Sequence, residues 1–254
     1  MKKFLFFSLI TIMCFSSFGF PVPKPDTNEN QIEVFYEPSL DDFFTIADQF
    51  FASHVADGKV DYATIKSDRT ILDQLDGMIG SADLSSSDAN TKTAFYLNAY
   101  NLLVIKSVIN KYPINKPTDV SGFFDATKHQ IAGEYLTLNE IENKKLRPDP
   151  RVHFSLVCAA KGCPKIINEA FKPSTVQAQL DRQAKRAMND ASFIKVDDAT
   201  KSVKISQIFD WYKSDFLKQP GANALVFINQ YRDVRIPPDY SVGFYEYDWN
   251  LNKK

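Results

Sequence analysis

Ala94-Phe95-Tyr96-Leu97-Asn98-Ala99-Tyr100-Asn101-Leu102-Leu103-Val104-Ile105 is apolar on nearly every side when wound as a helix. A helix of that kind belongs inside a domain, enclosed by other elements. The helical pattern around it runs from about Asp88 to Lys111 and stops before Pro113, whose ring disfavours helical backbone in the preceding residue. Asn98 and Asn101 share one side of it, and buried amides need hydrogen-bond partners. Two roles are open to them: tying neighbouring loops to a core helix, or facing a site.

Upstream, Ser39 is a cap for a helix with Phe43, Ile46, Ala47, Phe50 and Phe51 at helical spacing. A turn over Gly58-Lys59-Val60-Asp61-Tyr62 and a helix over Ile71, Leu72, Leu75 and Met78 follow. Downstream the pattern turns to strands. Gln130 to Tyr135 reads as a hairpin, and Thr137 with Glu140 has capping-box spacing for a short helix ending near Arg147-Pro148. Val152, Phe154 and Leu156 alternate with His153 and Ser155, the pattern of a strand. A helix over Thr175 to Met188, a hairpin (Phe193 to Val196 with Val203 to Ile205), an aromatic helical stretch from Ile208 to Phe216 and a helix over Asn223 to Tyr231 complete the pattern. The tail Tyr245-Glu246-Tyr247-Asp248-Trp249 is rich in strand formers and is expected to pair or pack. Hairpins mixed with helices, without repeated βαβ units, predict an α+β single domain in which a buried central helix lies against a small, mostly antiparallel sheet.

The amino-terminal segment has a different composition. Lys2 and Lys3 precede an apolar run from Phe4 to Phe20, with Ser17 and Gly19 at the −3 and −1 positions of a cut after Gly19. Residues 1–19 therefore read as a signal peptide, 20–38 as a polar, Pro-bearing linker and 39–254 as the domain. An uncleaved anchor is the competing reading, since the run is about as long as a minimal membrane span. No second such run follows, so no stable membrane span is expected after cleavage. The expected location is outside the cytoplasm, periplasmic or extracellular. Cleavage removes Cys14 and leaves Cys158 and Cys163, which an oxidising compartment can join.

The chain has 254 residues, with 30 Lys+Arg against 31 Asp+Glu, for a formal net charge of −1. That balance argues against a nucleic-acid binder, because phosphate-driven affinity needs clustered excess cations. The sequence has no Gly-x-Ser-x-Gly elbow, no His-Glu-x-x-His, no phosphate loop and no dinucleotide fingerprint. No carboxylate pair stands out for glycosidase chemistry. No cofactor or metal is expected.

Reactive side chains are densest from Arg151 to Pro164, which holds His153, Ser155, Cys158, Lys161 and Cys163. Four readings are open: a structural Cys158–Cys163 disulfide, a cysteine nucleophile with His153 or His129 as base, a cycling dithiol, and metal ligation by His153 with the two thiols. The usual paired ligand spacings of a metal site are absent. Among nucleophiles Cys163 is preferred, because Gly162 lets its loop turn back and Lys161 supplies positive charge.

Several of these segments together resemble the domain of unknown function 547 family. They are Gly58 to Tyr62, Ala94 to Asn101, Gly133 to Leu138, Ile141-Glu142, Leu146-Arg147, Asp149 to Arg151, His153 to Cys158, Cys163-Pro164, Ile208 to Phe216 and Tyr247 to Asn252. The resemblance implies a domain without a settled activity, linked in members fused to redox modules to disulfide chemistry. The order of elements is also similar to the papain and transglutaminase arrangement, in which a buried helix faces a His-bearing strand. That pattern begins its helix with Cys, where this chain offers Asn98 and Asn101.

The expected site joins the Asn98/Asn101 helix to the His153–Cys163 segment. Its candidate catalytic residues are Cys163, His153, Cys158 and His129, and its candidate binding residues are Asn98, Asn101, Arg151, Trp211, Tyr212, Asp248 and Trp249. The leading functional expectation is a cysteine-dependent hydrolase or acyl transferase of the cell envelope. Two alternatives stand beside it: a non-catalytic domain that binds a small molecule or peptide, and a thiol–disulfide oxidoreductase.

Overall fold

Ser39 caps the first helix, α1 (Leu40–His54), in a capping box with Asp42. The Ser39 N–H donates to Asp42 Oδ2 at 2.8 Å, and the Asp42 N–H donates to Ser39 Oγ at 3.2 Å. Phe43, Phe44, Ala47, Phe50 and Phe51 form its buried face. The computed structural model describes residues 38–217 and 223–254. The expected leader and all of the expected linker except Pro38 lie outside the described residues.

A two-residue hairpin, β1 (Val55–Ala56) with β2 (Lys59–Val60), leads into α2 (Tyr62–Ser67), α3 (Thr70–Ser81) and α4 (Ala89–Lys111). Asp88 caps α4, and its residues Ala94 to Ile105 are all buried. The helix packs against α2 and α3 on the amino-terminal side of the sequence. From beyond it come α5 (Leu138–Ile141), the π-turn Glu142–Leu146 and α6 (Val176–Asn189). Its immediate neighbours are thus largely helices. The strands form small sheets: the β1–β2 hairpin, an antiparallel β3 (His129–Ile131) and β4 (Glu134–Leu136), and a three-stranded sheet. In the last, β5 (Ile194–Asp197) runs antiparallel to β6 (Ser202–Ile205), which is parallel to β7 (Ser241–Phe244). The α+β class holds.

Two hydrophobic clusters result. The first surrounds α1 to α4, and the second gathers Phe154, Phe193, Phe209, Phe216 and Phe227 with β5, β6 and the helices α7 (Ile208–Trp211), α8 (Lys213–Phe216) and α9 (Ala224–Tyr231). The segment from Val152 to Ala160 runs along the seam. Val152, Leu156, Val157 and Ala159 belong to the first cluster, and Phe154 and Ala160 to the second. This corrects the strand expected over Val152 to Leu156. Residues Pro150–Phe154 form a 3-10 helix, started by Pro150 and by Asp149, whose carboxylate accepts the Arg151 N–H at 2.9 Å. All of Val152 to Val157 is buried, so the alternation that suggested a two-faced strand does not report which way the side chains point. No His-bearing strand therefore faces α4 at His153.

The irregular segments are held by the two amides of α4. Asn98 Nδ2 donates to the Phe171 carbonyl at 2.8 Å, and the Phe171 N–H returns a bond to Asn98 Oδ1 at 2.9 Å. Asn101 Nδ2 donates to the Ser155 carbonyl at 3.0 Å, and its Oδ1 accepts the Val157 N–H at 3.0 Å. Both residues are buried, and each amide pairs with backbone as a strand would. Leucine at either position leaves a buried N–H and a buried carbonyl without partners. Asn98→Leu and Asn101→Leu are each expected to lose about 1–3 kcal/mol, read from urea melts with unchanged slope. A neutral result for either would show that its backbone partners find replacements.

Candidate functional site

A cleft of about 440 Å³ opens where the two clusters meet, lined in part by His153, Cys158, Cys163, Trp211, Tyr212 and Trp249. Six of the residues expected at the site are thus brought together. Tyr100 of α4, Glu142 and Tyr247 line the same cleft and were not singled out as site residues from the sequence. All three fall within segments that carry the family resemblance, but by its residue type Tyr100 is like any other aromatic of a core helix.

Local structure fixes each polar member. The Thr137–Glu140 capping box orders α5, with the Glu140 N–H donating to Thr137 Oγ1 at 3.1 Å and the Thr137 N–H donating to Glu140 Oε2 at 3.0 Å. The π-turn that follows turns Glu142 inward, and it is buried. The 3-10 helix at Asp149-Pro150 presents His153 to it. His153 Nδ1 lies 3.2 Å from Glu142 Oε1, and its Nε2 lies 2.8 Å from Asp215 Oδ2. The imidazole also stacks on Tyr212, with ring centroids 3.9 Å apart.

Asp215 in turn takes a two-pronged bond from Arg147, Nε to Oδ2 at 2.6 Å and Nη2 to Oδ1 at 2.8 Å. Burial acts to raise the Asp215 carboxyl, but the bonds and charges of Arg147 and His153 outweigh it and hold the group below its ordinary range. Burial raises the Tyr212 phenol, and the hydrogen-bonded Glu142 beside it adds to that effect. The result is a chain of contacts, Glu142–His153–Asp215–Arg147, with one end at the cleft. Among the described residues, no group of three or more His, Cys, Asp and Glu has the arrangement to hold a metal ion.

The sulfurs occupy another part of the wall. Cys158 Sγ and Cys163 Sγ lie 2.13 Å apart, within bonding distance. The Cys158 N–H donates to Cys163 Sγ at 2.9 Å, and the Tyr247 hydroxyl lies 3.0 Å from Cys158 Sγ and 3.2 Å from Cys163 Sγ. Gly162 has a close neighbour here: a Cβ would sit 3.0 Å from the Asp248 nitrogen and 3.1 Å from the Tyr247 ring. Its lack of a side chain admits the tail segment, whose Asp248 carbonyl accepts the Gly162 N–H at 2.8 Å. Trp211, Tyr247 and Trp249 pack on one another, with the indoles stacked at 5.7 Å and 25°.

Other expected site residues lie elsewhere. His129 sits in β3 and lines a separate cavity with Asp76 and Lys106, its pKa lowered by burial and by the Lys106 charge. Arg151 is bonded to Asp149, Asp181 and Gln177, tying the 3-10 helix to α6. Asp248 and Lys161 line a second cavity, which Cys163 also borders. Asn98 and Asn101 are taken up by backbone, as described above.

The pairing of Asp215 has a consequence for acid stability. A carboxyl held below its unfolded value stabilises the fold fully above about pH 4, and that contribution is lost as pH falls through the folded value. Asp215→Asn should therefore flatten the acid limb of a melting-temperature profile. At pH 7 it should cost on the order of 2 kcal/mol, less than a fully buried pair, because Arg147 keeps 24% of its side chain exposed. An acid limb unchanged by the substitution would assign the acid sensitivity to other carboxylates.

No curated protein and no solved structure matches the chain. Residues 84–186 match the model of a family described as "Protein of unknown function, DUF547". The match runs from just before α4 into α6, so it takes in Glu142, His153 and both cysteines but not Asp215 or the two tryptophans. Over that stretch, narrower than the one suggested by inspection of the sequence, the chain resembles the DUF547 family.

Proposed function

We propose that this is an exported domain that binds a small molecule or peptide in the aromatic cleft, with the Cys158–Cys163 pair bracing its wall. The observation that carries this reading is the state of His153. Both of its ring nitrogens face carboxylates, so neither is left to take a proton from a thiol. The two sulfurs lie within bonding distance of each other, which leaves no free thiol for a nucleophile. These facts favour a binding cleft over the cysteine-dependent hydrolase or acyl transferase. The thiol–disulfide oxidoreductase reading has one observation in its favour, since both sulfurs line the cleft.

Thiol chemistry separates the three readings. Protein purified without reductant should show no alkylated cysteine by mass spectrometry. After reduction, both thiols should be alkylated slowly at pH 6, as ordinary thiols are. One fast thiol would favour the nucleophile, and rapid reoxidation by small disulfides would favour exchange chemistry.

Export rests on the basic start, the apolar run and the small residues Ser17 and Gly19. Among the described residues, no helix is long and apolar enough to cross a membrane. Mature protein from the native host is expected to begin at or near Phe20, measured by mass spectrometry. An intact amino terminus in the membrane fraction would favour the anchor.

A further inference from the structure

We infer that the cleft takes an organic ammonium cation, held by aromatic faces and the carboxylate of Glu142; the inference rests on the binding reading above and names its ligand class. The first support is the charge of the lining. Its ionisable members include the carboxylates of Glu142 and Asp125 and the imidazole of His153, and neither Lys nor Arg is among them. Arg147 is not among the lining residues, and its guanidinium is engaged by two bonds to Asp215.

The second support is the wall. Tyr100, Trp211, Tyr247 and Trp249 all contribute to it, and Trp211 is 47% exposed; the Tyr212 ring also lines it but is taken up by His153 and Arg147. Aromatic faces carry negative quadrupole charge and attract cations, and several around one space favour substituted ammonium groups, whose apolar shoulders they also cover. The molecule already uses this attraction nearby, where the Arg147 guanidinium lies 5.5 Å from the centre of the Tyr212 ring.

The third support is Glu142 itself. Its contacts are His153 Nδ1 and the Tyr212 hydroxyl, whereas an ionised carboxylate can accept about four hydrogen bonds. The remaining capacity is available to an ammonium that carries N–H, whereas for a quaternary ammonium the carboxylate contributes its charge alone. A hard metal cation fits poorly, because it needs a shell of oxygen ligands where this cleft presents rings. Leu156, Val157 and Ile208 in the lining suit a ligand with carbon around its charge.

The chain's two tryptophans, Trp211 and Trp249, both line the cleft, so intrinsic fluorescence reports on it directly. The experiment titrates the mature protein with choline and with its uncharged isostere 3,3-dimethyl-1-butanol. Choline should change the emission and bind at least about tenfold more tightly than the alcohol. Glu142→Gln should bring the two affinities to within about threefold, with a melting curve showing that the variant folds. Should that variant not fold, Trp211→Leu at the exposed rim, read through Trp249, should weaken choline more than the alcohol. A lysine-containing tripeptide and free cadaverine distinguish the sources: preference for the peptide assigns a side chain, preference for cadaverine a free amine, and either supports the inference. Equal affinity for choline and the alcohol would overturn the cation and leave the binding cleft standing. No response to any cation, with a neutral peptide library also silent, would overturn both.

Discussion

Because α4 is enclosed on every side, the amides of Asn98 and Asn101 must find their partners in protein, and they find them in backbone that belongs to no sheet or regular helix. Each amide uses one of its N–H groups and its oxygen, and each receives the complementary pair from an irregular segment, Phe171 in one case and Ser155 with Val157 in the other. Buried backbone without such partners would cost the fold heavily. The position of the cysteine loop follows, since Val157 precedes Cys158 directly. So does the position of His153, two residues before Ser155. The cleft is placed by a helix of which only Tyr100 reaches its lining among the residues discussed.

The ionic chain from Glu142 to Arg147 obeys a second constraint. Two carboxylates and an imidazole removed from water must be paired and hydrogen-bonded to be tolerated. Here the compensation is directional, because Arg147 binds Asp215 through both prongs and Asp215 binds His153. Glu142, at the end of the chain, lines the cleft together with its partners His153 and Tyr212. Such an arrangement is a poor choice for stability alone, since apolar packing of similar volume often serves as well.

Much of the fold was legible wherever local chemistry decides it. Ser39 with Asp42, Asp88, Thr137 with Glu140 and Asn223 each begin a helix through a side-chain cap, and those signals act over a few residues. The segment from Val152 to Leu156 misled because its burial is set by two cores at once, so every position is covered and the alternation of residue types carries no facing information. The aromatic wall was legible in Trp211, Tyr212 and Trp249, but its charged partner was not. Asp215 meets His153 across 62 residues of chain, and Glu142, although only 11 residues away, reaches it by way of a π-turn and a 3-10 helix, so no local pattern marks either as a partner. Gly162 was noted as a turn residue. Its function is clearance for Tyr247 and Asp248, which a single sequence cannot express.

The tail's part in the wall also imposes an order in time. Tyr247 touches both sulfurs, yet it follows Cys163 by 84 residues and Cys158 by 89. Backbone bonds from Lys161 to Asn250, from Gly162 to Asp248 and from Asn252 to Ala159 seat that tail against the cysteine loop. Whether the chain emerges from a ribosome or an export channel, its cysteines arrive well before the strand of tail that covers them. An oxidant acting before the tail is seated meets the two thiols without the Tyr247 hydroxyl against them, whereas one acting afterwards must reach them past that ring.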